Sequence, residues 1–385
     1  MSDSLRRPPP PVPVTIVTGF LGAGKTTILN RLLRDPDLAQ AVVMINEFGE
    51  IGLDHLFVEK IDGDMVMMAS GCLCCTIRGE LIDAMEDLLR RRDNGRIKDF
   101  NRVIIETTGL ADPAPVLHTI MSHPYLLLRF RLDGVITIVD SINGGATLAT
   151  FPEALKQAAV ADRLVLTKTD LVRAPEQIAQ LRDQLQRLNP TALIFDAASV
   201  KIDSRHLLDA GLYNPLTKAP DVQRWLNAER LMDAGASANG ASHDPHSAHD
   251  HGHGDVNRHN ESIRAFCLVN ETPLSLSAFD LFLQLLRSAH GLSLLRVKGI
   301  VALADDLSRP MVIHGVQHVF HPPVRLDAWP DDDQRTRIVF IVKDVKPEFI
   351  EGLYAAFAGQ IAIDAPDKTA LTHNPLKPNS GGLFS

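Results

Sequence analysis

"VTIVTGFLGAGKTTILNRLL", residues 14–33, decides the fold. A β-branched run from Val14 to Val17 leads into a glycine-punctuated turn, and an amphipathic helical stretch follows. Gly19, Gly24, Lys25 and Thr26 keep the G-x-x-x-x-G-K-[ST] spacing between that strand and that helix. Glycines let backbone N–H groups curl around phosphates, and the helix N-terminus adds its partial positive charge. Lys25 would reach the β- and γ-phosphates, and the Thr26 hydroxyl would ligate Mg²⁺. A ligand-free strand–helix turn would not require this spacing, so the stretch predicts a bound nucleotide.

Downstream, "AVVMINEF", "RVIIETTG", "GVITIVD", "RLVLTKTD" and "ALIFDAAS" each read as a buried strand bounded by turn signals. Amphipathic stretches such as "GELIDAMEDLLRRR" and "APEQIAQLRDQLQRL" lie between them. This alternation predicts an α/β fold of the P-loop NTPase kind, a doubly wound and mainly parallel sheet. Ligands of such sheets bind at the carboxyl ends of the strands, where the motifs fall.

Two of those strand ends define the nucleotide further. In "RLVLTKTD", Asp170 would accept hydrogen bonds from guanine N1 and N2, which adenine cannot offer. The stem of Lys168 would lie along the purine face, and Thr167 stands where the N-K-x-D pattern has Asn. GTP is therefore favoured over ATP. "RVIIETTGLADP" ends its apolar run in Glu106, placed to hold the Mg²⁺ shell through water or merely to cap the strand. Thr107, Thr108 and Gly109 would bring backbone near the γ-phosphate. No Gln follows Gly109 to orient water, which predicts slow GTP hydrolysis.

"SGCLCCTIRGEL" places Cys72, Cys74 and Cys75, three of the four cysteines, in four consecutive positions. Thiolates suit Zn²⁺, Cu(I) or Co²⁺, and three of them leave one tetrahedral position open. Transferable metal binding, redox chemistry at a helix start and simple packing in a tight turn are the competing readings. "MINEFGEIGLDH" adds Asn46, Glu47, Glu50, Asp54 and His55, acids that could contact Mg²⁺, activate water or complete a metal site. His123 in "TIMSHPY" is either an accessory ligand or a capping residue.

The alternation breaks near residue 227. "GASANGASHDPHSAHDHGHGDVNRH" has no hydrophobic period, and its histidines, His243 to His259, make a flexible chelator or a biased spacer. "IRAFCLV", "SLSAFDLFLQLLRSA", "LLRVKGIVAL", "PMVIHGVQHVF" and "TRIVFIVKD" then predict a small α+β domain. The expected divisions are a disordered lead over 1–13, a nucleotide-binding domain over 14–226, a linker over 227–262, the second domain over 263–358 and a tail over 359–385. A net charge of −8 argues against nucleic-acid or anionic-membrane partners. No apolar run of about 20 residues occurs. The Pro-rich start lacks an apolar signal segment, and four cysteines exclude a disulfide scaffold, so a cytoplasmic location is expected.

In this order "GFLGAGKTT", "NEFGEIGLD", "GCLCC", "ETTGLADP" and "TKTD" resemble the CobW family of metal-handling GTPases. "GLSLLRVKGIVAL" and "VIHGVQHVF" resemble that family's C-terminal domain. The resemblance implies a phosphate loop over Gly19–Thr27, including Gly22, Ala23 and Thr27, and base recognition by Lys168 and Asp170. It implies a metal site at Cys72, Cys74 and Cys75, with Glu50 and His123 as accessory ligands. The function it implies is a GTP-dependent metallochaperone that passes a divalent metal, foremost zinc, to a metal-dependent client protein. Cobalt delivery for cobalamin synthesis or nitrile hydratase activation is the alternative within the family. Metal storage and redox sensing are the alternatives outside it. A homo-oligomer is compatible with this reading.

Overall fold

The structure is a computed structural model that describes residues 10–48, 65–70, 76–198, 204–208 and 263–359. Seven parallel strands form the first sheet in the order β3-β2-β4-β1-β5-β6-β7. They are β1 (Val12–Gly19), β2 (Ala41–Phe48), β3 (Met65–Ser70), β4 (Arg102–Thr107), β5 (Phe130–Asp140), β6 (Arg163–Thr167) and β7 (Leu193–Asp196). All six expected strands are present, and Met65–Ser70 adds a seventh on the β2 edge. β7 is only half-buried, unlike the expectation, because it closes the other edge of the sheet.

β1 begins at Val12, two residues inside the lead that was expected to be disordered. Pro13 is tolerated there because β1 pairs only with β5 at that point, its pairing with β4 starting at Val14. A missing N–H on the unpaired side breaks no ladder.

Helices α1 (Lys25–Leu33), α2 (Thr76–Asp93), α3 (Ala114–Ser122), α4 (Pro124–Arg129), α5 (Gly144–Thr150), α6 (Pro152–Ala159) and α7 (Pro175–Leu188) connect the strands. Strand alternation sorts the core onto two faces. Ile104, Ile136 and Val165 pack on Ile28, Leu29 and Leu32 of α1. Val14, Ile16, Val103 and Ile105 point the other way, onto Leu81 and Met85 of α2 and Leu117 and Ile120 of α3. Such two-sided burial explains why these strands read as continuous apolar runs.

The second unit is an antiparallel sheet in the order β11-β10-β9-β13-β8, with β12 beside β10. Its strands are β8 (Ile263–Asn270), β9 (Leu294–Val301), β10 (Met311–Val316), β11 (Val319–Phe320), β12 (Val324–Arg325) and β13 (Thr336–Lys343). One face packs on two helices, 276–290 and 347–357, through Phe279, Phe282, Leu286, Ile350 and Tyr354. Along β9, Val297 belongs to this core, while Arg296 and Lys298 alternate to the opposite face.

That opposite face rests on the nucleotide-binding domain. Ala159 at the end of α6 packs against Leu295 and Ile341, and α3 shares a core with Val316 and Val319. Asp162 Oδ1 accepts from Arg296 Nη2 at 2.6 Å and from Lys298 Nζ, all three side chains being buried. Asp162 Oδ2 accepts the Val135 N–H at 2.9 Å. Burial alone would raise the Asp162 carboxyl, but the two cations hold it far below the carboxylate range. Burial pushes the Lys298 ammonium down to about 8 against the opposing pull of Asp162. His314, also buried beside Arg296, is held well below its usual value and is neutral. Among the described residues, no helix is long and apolar enough to cross a membrane.

Candidate functional site

Because the strands of the first sheet are parallel, their carboxyl ends share one edge, and the motifs collect there. β1 ends at Gly19, whose φ is 145°, and a Cβ there would lie 2.4 Å from Ile138 O. Only glycine lets the chain turn off β1 so close to β5. The loop then runs through Gly22 and Gly24, both with positive φ, and Gly24 is the N-cap of α1. Lys25 opens that helix, and its Nζ donates to Gly19 O at 3.1 Å and Phe20 O at 3.4 Å. The ammonium therefore lies over the concave loop, where it would neutralise the charge of a bound phosphate. Thr26 and the exposed Thr27 follow in the first turn, next to Ala23, which is buried.

β6 braces the loop from the side. Thr167 Oγ1 donates to Ala23 O at 2.6 Å, so the residue that replaces Asn ties the strand end to the phosphate loop. Lys168 has a left-handed backbone, φ 57°, and its Nζ donates to Gly22 O and to Asp140 Oδ2, both at 2.9 Å. Burial would raise the Asp140 carboxyl, but hydrogen bonds from Lys168, Ile142 N–H and Asn143 bring it below the usual range. The Lys168 stem is thus stretched across the mouth of the loop, and Asp170 is exposed two residues on. Lys168 and the exposed Asp170 stand together beside the loop.

β4 supplies the third wall. Glu106 is 5% exposed, in register with Val17 of β1 and Ile45 of β2. Thr107 Oγ1 donates to Thr18 Oγ1 at 2.8 Å, joining β4 to β1 one residue before Gly19. A Cβ on Gly109 would lie 2.7 Å from Leu21 N and Cα, so the turn after β4 packs directly on the phosphate loop. Among the described residues, the buried Thr108 hydroxyl has no hydrogen-bond partner. Thr26 and Glu106 offer hard oxygen donors on neighbouring walls, a set that suits Mg²⁺.

The residues expected to bind metal are placed less fully. Cys72, Cys74, Cys75 and Glu50 lie outside the described residues, as do Asp54, His55 and the linker histidines. Glu47 is placed by its backbone near the end of β2, where Asn46 pairs with Thr107 and Glu47 with Ala69. β3 delivers the chain to the carboxyl edge at Ser70, and α2 takes it up at Thr76. His123 sits at the junction of α3 and α4, its Nδ1 buried without a partner among the described residues. The described residues contain no group of three or more His, Cys, Asp or Glu able to hold a metal.

Two residues of the site escaped the sequence. Asp140 closes "GVITIVD" and pairs in register with Thr167, so a strand-end acid beside "TKTD" was its available signal. Gln157 lies inside α6, and its Nε2 donates to Gly109 O at 3.2 Å and Ala111 O at 3.0 Å. It also lines a cavity of about 310 Å³ beside the loop, with Phe20, Leu21, Val139, Leu148 and Lys168. No local pattern marks a buried glutamine that acts 48 residues away in sequence.

Comparison with known proteins agrees with this geometry. Residues 13–196 match the CobW/HypB/UreG nucleotide-binding domain, and residues 263–358 match the cobalamin synthesis protein cobW C-terminal domain. The zinc chaperone YjiA of Escherichia coli is 32% identical over 349 residues, covering 91% of this chain and 98% of that protein. The zinc chaperone CobW of Pseudomonas aeruginosa is 35% identical over 219 residues, 49% of this chain and 56% of that protein. The crystal structure of Zn(II)-bound YjiA GTPase superposes with a TM-score of 0.63 at 28% identity, covering 91% of this chain and 99% of that one. With a phosphate loop at the carboxyl edge of a parallel sheet and the matching second domain behind it, the chain belongs to the CobW family of P-loop proteins.

Proposed function

We propose that this protein is a GTPase that binds a divalent metal, foremost Zn²⁺, and couples its nucleotide state to delivery of that metal to a client protein. The observation that carries the nucleotide half is the convergence of Lys25, Lys168 and the Gly109 turn on one glycine loop. Lys25 neutralises β- and γ-phosphate charge, the loop N–H groups cradle the oxygens, and Lys168 with Asp170 selects guanine. Mg²⁺, when bound at Thr26 with Glu106 in its outer shell, would neutralise charge that develops during phosphoryl transfer. Glu47 would take part from the end of β2. Hydrolysis would be slow, as suits a switch.

The metal half rests on thiolate chemistry and on the relatives. Cys72, Cys74 and Cys75 begin two residues after Ser70, which β3 brings to the same sheet edge as the phosphate loop. Relatives bear the names zinc chaperone and, in Schizosaccharomyces pombe, zinc-regulated GTPase metalloprotein activator 1. A Zn(II)-bound form of YjiA lacking one glutamate and two consecutive cysteines has also been crystallised. The thiol role must therefore be tested by affinity and not by bound zinc alone.

Titrating Zn²⁺ into the full chain loaded with GDP, and with a non-hydrolysable GTP analogue, tests the coupling. Reciprocal linkage requires metal to change GTP affinity by the factor that GTP changes metal affinity. Equal zinc affinity in both nucleotide states would sink it. A Cys72→Ser, Cys74→Ser, Cys75→Ser variant that retains the state-dependent site would remove the thiols from the proposal. Co²⁺ titrated in parallel reports which metal the site prefers.

A further inference from the structure

The turn after β4 is held between two helices, and both helices reach the C-terminal domain. On one side Asp112 Oδ1 accepts the Ala114 N–H at 2.9 Å and starts α3. Further along α3, the buried His118 places Nε2 3.0 Å from Val316 O and its ring edge-on to His318, 4.7 Å between centroids. On the other side α6 grips the turn through the two Gln157 donations and through Lys156 Nζ, 2.9 Å from Asp112 Oδ2. Its last residue, Ala159, packs on Leu295 and Ile341, and Asp162 meets Arg296 and Lys298 just beyond.

The C-terminal half of α6 is tied to the end of α7 and to β5. Asn189 Nδ2 donates to the carbonyls of Ala158, Ala159 and Ala161, and Thr137 Oγ1 donates to Gln157 O. The Gln157 amide has one workable orientation, since a flip would set Oε1 against the carbonyls of Gly109 and Ala111. Displacing the turn without α6 would leave buried donors unpaired, at about 1–3 kcal/mol each. Shifting packed helices by an ångström or two is the easier response.

We propose that the Thr108–Asp112 turn, α3 and α6 form a coupling element that makes the seating of the C-terminal domain depend on the nucleotide, with Gln157 as its positioning residue. The inference rests on the reading of the ligand as GTP. A γ-phosphate in the loop would meet the turn that packs on Leu21, whereas GDP offers no such group, which would be the differential interaction a switch needs. The β9 strand, carrying Arg296 and Lys298, receives the change.

Hydrogen exchange of the full chain with GDP and with a non-hydrolysable GTP analogue provides the test, with both affinities measured on the same samples. Exchange over 157–162 and over β9, residues 294–301, should differ between the two states by at least about fivefold. Gln157→Leu should abolish the β9 difference and lower kcat with KM little changed. Lys156→Ala, a milder cut in the same link, should reduce the difference and serves if Gln157→Leu does not fold. Tight binding of both nucleotides with identical β9 exchange overturns the coupling alone. Failure to bind guanine nucleotides overturns the GTP reading as well. A β9 difference that survives in Gln157→Leu removes Gln157 from the role.

Discussion

The cradle at the carboxyl edge and the seam between the domains both concentrate charge, but they partner it differently. In the cradle Lys168 reaches the Asp140 carboxylate as well as Gly22 O, while Lys25 donates to neutral carbonyls of the loop, Gly19 O and Phe20 O. Such neutral partners are easily exchanged for phosphate or base, because a neutral carbonyl holds an ammonium less tightly than an anion does. In the seam, Asp162 is the carboxylate that Arg296 and Lys298 share, and all three are out of water. Exposed, replaceable partners suit a ligand site, whereas buried, exclusive partners suit a joint. Both regions are held by the same α/β framework, and the turn at Gly109 lies between them.

The comparison breaks most visibly at Asp162. Asp162→Ala leaves two buried cations without their acid and should lower unfolding stability by about 3–5 kcal/mol, measured by denaturant titration. A loss below about 1 kcal/mol would show that the seam is a loose contact. The depressed Asp162 carboxyl also sets a sign for pH. Its contribution is complete above the ordinary value of 3.8 and disappears as pH falls below that value. Wild-type protein should therefore lose stability on acidification below pH 3.8 more steeply than Asp162→Asn, which is already without the charge.

The cradle makes the opposite prediction, large for function and small for folding. Lys25→Ala should reduce GTP turnover on the order of 10²-fold while leaving the denaturation midpoint close to wild type. Asp170→Ala should weaken GDP binding by about 1–3 kcal/mol and leave the much weaker ADP binding unchanged, as followed by fluorescence titration. Equal losses for both nucleotides would show that Asp170 does not read the base. The smallest effect is expected at Thr167→Val, which removes the bond to Ala23 O and should cost about 1 kcal/mol of stability.

The sequence was most legible where one short segment carries its own geometry. The strand–loop–helix of residues 12–33 needs only glycine spacing and an apolar period to be read, and "TKTD" and "ETTG" fall at strand ends as expected. It was less legible at edges. Val12 and Pro13 joined β1 because pairing there is one-sided, and "MVMMAS" became β3 because β2 left an edge to fill. Cys72, Cys74, Cys75 and Glu50 lie outside the described residues, so the metal site stands on donor chemistry and on where β3 ends.

By itself the sequence determined the parallel sheet, the phosphate loop and the second α+β domain, and it nominated the residues proposed to contact nucleotide. These follow from local periodicity and from side-chain chemistry at fixed spacing. Only the tertiary structure decided that Gln157 holds Gly109, that Lys168 reaches Asp140, and that Asp162 anchors β9 across the seam. Asp162 and Arg296 are 134 residues apart, and no periodicity spans such a distance. Their pairing follows from which faces the two sheets bury against each other, and that is settled only when both cores have formed.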